Sequence, residues 1–165
     1  MALKTLPASQ FTTEELTDFY NQTRVDYLVP MPMSVDVMAE YIHDFDVNLD
    51  LSPIIQDSET GQFFGLGMLG VRGENTWITR LGVTQNSRRS GAGSAIMDAL
   101  LEASRRLGAK KTILEVIQNN IPAQKMFQKN GFSGAKELVV LRRAPLRPPL
   151  SPEGHITWLY RKDAL

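Results

Sequence analysis

Residues 86–96 read NSRRSGAGSAI. Two arginines, Arg88 and Arg89, are followed by Gly91-Ala92-Gly93, and an apolar helical pattern begins directly behind them. The first N–H groups of a helix have no acceptor inside it, and together with the helix dipole they attract anions. Glycines let the chain turn tightly and carry no Cβ to hold a phosphate away. Arginines add charge and forked donors. The stretch Arg88, Arg89, Ser90, Gly91, Ala92, Gly93 and Ser94 is therefore a candidate cradle for a phosphate or pyrophosphate at the mouth of a helix.

The elements around this cradle follow from periodicity and punctuation. Ile96, Leu100, Ala103 and Leu107 recur at helical spacing over 91–107, with Gly108 placed to end the helix in the left-handed conformation. Upstream, LSPIIQD (51–57), QFFGLGMLGVRG (62–73) and TWITRLGV (76–83) are strand-like runs separated by turn residues, a meander that implies antiparallel pairing. Gly82 lies inside the last run, where a glycine marks a bulge or the close approach of another backbone. Downstream, KKTILEV (110–116) reads as a strand. A short helix follows, capped by Asn120 and ended by Gly131, with Pro122 tolerated in its first turn. KELVVLRR (136–143) and HITWLYRK (155–162) read as two closing strands around a proline-rich loop. At the front, helices are expected over 12–24, capped by Thr12 or Thr13, and over 35–43, opened by Ser34. This order predicts an α/β (α+β) class: a mixed, mostly antiparallel central sheet with helices on both faces. The unit from 76 to 116 should form a right-handed parallel crossover, and residues 1–165 are one domain's worth of chain.

Three phosphate motifs compete for the glycine turn. A P-loop needs Lys-Ser or Lys-Thr after its last glycine, and Ser94-Ala95 stand there instead. A dinucleotide fingerprint needs a small residue where Ile96 stands and a strand running directly into the glycines. Glu115 does sit about twenty residues on, as that motif's ribose acid would, so the fingerprint is weakened without being erased. The third pattern, Arg-x-x-Gly-x-Gly, is met by Arg88, Gly91 and Gly93. It resembles the pyrophosphate signature of the GNAT superfamily, the acyl-CoA-dependent N-acetyltransferases. ITRLGVTQ (78–85) resembles that family's bulged strand along the pantetheine arm. LEVIQNNIPAQKMFQKNGF (114–132) resembles its next motif, with Glu115, Asn120, Ala123, Phe127, Gly131 and Phe132 in register. The close resemblance covers 76–132 and defines the expected cofactor-binding core.

The resemblance implies transfer of an acetyl group from acetyl-CoA to the amine of a small-molecule or peptide acceptor by direct attack in a ternary complex. It implies that the main chain at Leu81, Gly82 and Val83 pairs the pantetheine and polarises the thioester. The loop 88–94 would hold the phosphates, and Asn120, Ala123 and Phe127 would complete the cofactor contacts. Some relatives use the glutamate matching Glu115 as general base; the alternative is a glutamate that faces solvent or pairs with a lysine. Many relatives carry a tyrosine where Phe127 stands, to protonate the leaving thiolate. With a thiol pKa of about 8.5, thiolate is a tolerable leaving group without that acid. The missing hydroxyl keeps a second reading open: a CoA-binding regulatory or sensor module with little or no turnover.

Composition narrows the remaining classes. Of 165 residues, 42% are apolar and 22% charged, ordinary for a globular chain, and there is no cysteine. That excludes disulfides, zinc–thiolate sites and cysteine nucleophiles, and fits a cytoplasmic location. No apolar run approaches the ~18 residues of a membrane span, and MALKTLPASQFTTEEL has no apolar stretch of a secretory leader, so no membrane partner is expected. Zero net charge argues against a nucleic-acid partner. The charge is unevenly spread: residues 1–87 hold four Lys and Arg against twelve Asp and Glu, a net of −8, and residues 88–165 hold fourteen against six, a net of +8. This suggests a cationic half for an anionic cofactor and an anionic half for a cationic acceptor.

HDFDVNLD (43–50) sets Asp44, Asp46, Asn48 and Asp50 at alternate positions, but Leu49 and Ile55 stand where a calcium loop needs its glycine and glutamate, so no metal is expected. The alternation of Phe45, Val47, Leu49 and Leu51 reads as an extended segment with one buried face. Met31, Met33 and Met38 are core filler or a pliable acceptor wall. His43 and His155 lack metal-ligand spacing. The closing strands offer an edge for a homodimer.

Overall fold

The computed structural model describes residues 2–139. Five strands form one sheet in the order β1-β2-β3-β4-β5: β1 (Leu3–Pro7), β2 (Pro53–Asp57), β3 (Phe63–Arg72), β4 (Asn75–Val83) and β5 (Lys111–Leu114). The first four pair antiparallel in sequence, and β5 pairs parallel to β4. The parallel pair is joined through α3 (Ala92–Arg106), as the crossover expectation required. A sheet with one parallel pair does not fit the dinucleotide reading, whose fold needs a mostly parallel sheet.

Local chemistry starts and stops the helices. The Thr12 hydroxyl accepts from the Glu15 N–H at 3.2 Å, and the Glu15 carboxylate accepts from the Thr12 N–H at 2.8 Å. This reciprocal box opens α1 (Thr13–Gln22). Ser34 caps α2 (Val35–Asp44) through the Val37 N–H, and Asn120 caps α4 (Ile121–Lys129) through the Ala123 N–H. Gly108 and Gly131, at φ +66° and +86°, follow α3 and α4 in the left-handed conformation.

Alternation along the strands divides the core into two layers. Leu16, Tyr20, Met38, Tyr41, Ile54, Leu66 and Met68 form the layer under α1 and α2. Ile55, Leu69, Ile78, Ile96, Met97, Leu100 and Phe127 form the layer under α3 and α4. Helices therefore cover both faces.

The structure departs from the sequence reading at four places. First, β1 was not expected: it is an outer strand with two exposed residues, and Pro7 disfavours a strand assignment. Second, the bulge in β4 is at Thr79 and not at Gly82, since Met68 pairs with Arg80 and Leu69 with Ile78, leaving Thr79 as the extra residue. Gly82 instead accommodates a close approach by a side chain, because a Cβ there would lie 2.5 Å from Thr23 Oγ1. Third, residues 43–51 are not an extended strand. Asp46 turns at φ +49°, Val47 makes an isolated bridge to Gly70, and Leu49–Leu51 is a 3-10 turn, although Val47 is buried as the alternation implied. Fourth, β5 is shorter than 110–116, so Glu115 lies past its end.

Residues Met1–Phe132 cluster as one unit and Ser133–Leu165 as another. Within the second, residues 136–139 of the expected strand 136–143 adopt no strand. The remainder of that strand, the proline-rich loop, His155 and the strand expected at 155–162 lie outside the described residues. Among the described residues, no helix is long and apolar enough to cross a membrane.

The bulge redirects one side chain. Before it, Thr76 bonds Ser104 of α3 at 2.9 Å and Ile78 joins the α3 layer. After it, Leu81 and Val83 pack against that same layer. Arg80, which strict alternation would aim at α3, therefore faces α1 and α2, with its guanidinium 4.2 Å from the Tyr41 ring centroid. Close packing on the other face depends on Gly65, where a Cβ would fall 2.5 Å from the Gly82 carbonyl oxygen and 2.9 Å from Ile96 Cδ1. Gly65→Ala is expected to destabilise the fold by about 1–3 kcal/mol, read as a lower urea midpoint with unchanged slope.

Candidate functional site

Strand β4 parts from β5. Their pairing ends at Ile78 with Leu114, whereas β4 continues to Val83. The Thr84 N–H donates to the Phe64 carbonyl at 2.8 Å. Antiparallel ladders alternate, so Gly82 and Arg80 direct their N–H and C=O groups at β3. The main-chain groups of Leu81 and Val83 face the other way, toward the side that β5 has left.

The chain then enters the glycine turn through the 3-10 turn Gln85–Ser87. Side chains brace the turn from within. The Thr84 hydroxyl donates to Ser87 Oγ at 2.9 Å, Ser90 Oγ donates to the Ser87 carbonyl at 2.7 Å, and the Ala92 N–H donates to Ser90 Oγ at 3.3 Å. Arg89 and Gly91 take positive φ, +66° and +90°. Among the described residues, the N–H groups of Arg89, Gly91, Gly93 and Ser94 have no acceptor. They crowd one helix mouth, the arrangement that binds phosphate oxygens.

Gly93 lies in the first turn of α3. A Cβ there would meet Val83 Cγ2 at 3.6 Å and Met126 Sδ at 3.7 Å, ordinary contact distances, and its φ is not left-handed. Neither packing nor backbone geometry demands glycine at 93.

The two arginines of the turn differ. Arg88 makes a two-pronged pair with Asp26, at 2.6 and 2.5 Å, and that contact holds the Asp26 carboxyl below its ordinary range. Arg89 is exposed and has no carboxylate partner among the described residues. The sequence reading assigned both to the phosphate; the partner of Arg88 lies 62 positions away and left no local signal. Asn120 spends its side-chain oxygen on the Ala123 N–H at 3.3 Å. Phe127 is buried in the α3 layer, its ring centroid 6.1 Å from that of Phe132. Glu115 is exposed one residue beyond β5, with no hydrogen-bond or ion-pair partner among the described residues.

A second cluster escaped the sequence reading. The Arg24 guanidinium lies 4.2 Å from the Tyr27 ring centroid and 5.0 Å from that of Tyr20. Arg80 lies 4.2 Å from Tyr41 and 5.7 Å from the same Tyr20. Arg80 Nη1 donates to the Thr79 carbonyl at 2.9 Å, and the Tyr41 hydroxyl donates to that oxygen at 3.2 Å. Burial pushes the Tyr41 phenol up, and the charge of Arg80 offsets part of the shift. The Nε atoms of both arginines are buried without an acceptor. Beside them Asn21, Arg24, Val25, Pro30, Met31 and Pro32 line a cavity of about 230 Å³. An arginine within the apolar run TWITRLGV was the one available signal.

Gly93→Ala should leave the urea midpoint within about 0.5 kcal/mol of wild type, since its Cβ meets nothing closer than ordinary contact. It should weaken coenzyme A binding about tenfold or more by calorimetry, the result expected where a diphosphate rests against the backbone of this turn. Asp26→Asn should release Arg88 and tighten coenzyme A binding by about twofold to fivefold, the scale of an exposed ion pair.

The family model described as the acetyltransferase (GNAT) family matches residues 12–132. No curated protein matches the chain in sequence. Among solved structures, Ard1 from Thermoplasma volcanium aligns with a TM-score of 0.66 at 19% identity, covering 81% of this chain and 84% of that one. The ribosomal-protein-S18-alanine N-acetyltransferase from Escherichia coli aligns at 0.67 and 17% identity, covering 82% and 80%. Glucosamine-6-phosphate N-acetyltransferase from Arabidopsis thaliana aligns at 0.62 and 12%, covering 87% and 99%. At these identities the structural likeness establishes the fold. The sequence match spans α1 through α4, including the parted strands and the glycine turn, and with it the chain belongs to the acetyltransferase (GNAT) family.

Proposed function

We propose that the protein is an N-acetyltransferase that moves an acetyl group from acetyl-CoA to an acceptor amine by direct attack within a ternary complex. The observation that carries this reading is the open edge of β4 at Leu81 and Val83 leading into a helix mouth with four unpaired N–H groups. Acetyl-CoA supplies a thioester carbonyl carbon open to nucleophiles. The N–H groups of Arg89, Gly91, Gly93 and Ser94 hold the diphosphate, with Arg89 adding charge. The N–H and C=O groups of Leu81 and Val83 pair with the pantetheine amides and steady the carbonyl oxygen as it gains charge. Gly82 lies between them, and Asn120, Ala123 and Phe127 support the far wall.

The acceptor nitrogen forms the new C–N bond as the C–S bond breaks, and the sulfur leaves as thiolate. The nitrogen must lose a proton in the same sequence. Glu115, exposed just beyond the last paired residue of β5, is the group we assign to take it. Phe127 has no acidic proton and lies in the core, so the thiolate departs without a donor from that position.

The reading extends to a single catalytic domain over residues 1–165, a cytoplasmic location, no metal, and a small-molecule or peptide acceptor. Thiol release from acetyl-CoA across a panel of amines tests it. Amine-dependent release is expected; coenzyme A binding without release on any amine would favour the sensor reading. Glu115→Gln should lower kcat near neutral pH by about a hundredfold with coenzyme A affinity unchanged. Unchanged turnover would strike Glu115 from the mechanism.

A further inference from the structure

We propose that the acceptor is an anionic amine whose oxyanion, a carboxylate or a phosphate, is held by Arg24 and Arg80 beside the open edge of β4. This rests on the acetyl-transfer reading and adds the substrate class.

Among the described residues, three of the five exposed arginines, Arg72, Arg88 and Arg105, have carboxylate partners in Asp46, Asp26 and Glu102, and exposed Arg89 and Arg106, which water can solvate, have none. Arg24 and Arg80 are the two described arginines that are partly buried, and neither has a carboxylate partner among the described residues. Charge removed from water needs an opposite charge or a full set of acceptors. Tyrosine faces supply part of this, but a ring face cannot accept the in-plane N–H groups of a guanidinium. Each Nε remains buried and unpaired. Both guanidiniums lie within 6 Å of one ring centroid, that of Tyr20, so one ligand can address both. An oxyanion with two oxygens matches the guanidinium fork.

The position suits an acceptor. The bulge at Thr79 turns Arg80 onto the α1 and α2 face, directly before Leu81, whose main chain faces the proposed thioester site. Arg24 lines the 230 Å³ cavity, and its guanidinium shares the Tyr20 ring with that of Arg80. Among the described residues, no carboxylate forms an ion pair with Arg24 or Arg80. Asp26, Asp46 and Glu74 are engaged by Arg88, Arg72 and Lys110, while Glu15 and Asp57 satisfy N–H groups of a cap and a turn.

The test uses the full chain and matched acceptors: amino acids against their carboxamides, and hexosamine phosphates against the unphosphorylated hexosamines. Thiol release from acetyl-CoA is expected to favour the anionic member of at least one series by about tenfold to a hundredfold in kcat/KM. The series that responds distinguishes carboxylate from phosphate. Arg24→Gln and Arg80→Gln should abolish that preference while coenzyme A affinity by calorimetry stays within about twofold, and Arg80→Lys, keeping charge without the fork, should restore part of it. Equal or better use of the neutral members, or a preference for polyamines, would overturn the inference and leave acetyl transfer standing. An anionic preference that survives both glutamine substitutions would overturn the assignment to these arginines. Absence of both coenzyme A binding and thiol release would overturn the acetyl-transfer reading itself. The wild-type comparison needs no variant, so an unfolded variant cannot obscure the result.

Discussion

An open strand edge is a hazard in a folded protein, because its N–H and C=O groups need partners and will take them from any passing chain. β4 carries such an edge beyond Ile78, where β5 ends and β4 does not. The rest of the architecture follows from that mismatch. Among the described residues, the main-chain groups at Leu81 and Val83 have no partner and lie a few residues upstream of the helix mouth at Gly91–Ser94, so one continuous backbone presents two kinds of unsatisfied donor. No side-chain chemistry is required to make this surface polar. It is polar because secondary structure ends there.

The turn at 88–94 and the helix caps were legible because their causes are local. A glycine pair before an apolar helix, or a threonine three residues before a glutamate, carries its own physical instruction. Thr12, Ser34, Asn120, Gly108 and Gly131 all take the places their chemistry indicated. Features set by pairing at a distance were not legible. β1 exists because β2, some fifty residues on, offers it an edge, with Leu3 opposite Asp57 and Pro7 opposite Pro53. The bulge was expected at the glycine and occurs at a threonine, since its position is decided by register against β3.

Charge shows the same limit. The halves at −8 and +8 suggested an electrostatic division of labour. In the fold, Asp26 meets Arg88 and Glu74 meets Lys110, so the opposite halves neutralise each other at their seams. Arg24 and Arg80, partly buried, are left without such neighbours among the described residues, and a count by sequence position cannot find them. Arg80 reaches its place only because one extra residue in β4 reverses the alternation behind it.

Gly82 has a consequence of its own. Because it lacks a side chain, Thr23 at the end of α1 rests directly on the β4 ribbon, and the Thr23 hydroxyl is tied back to the Tyr20 carbonyl at 2.7 Å. The helix is thereby clamped to the strand with no soft layer between. A methyl group at position 82 would pry the two elements apart, so the spacing of helix and strand is set by the missing side chain.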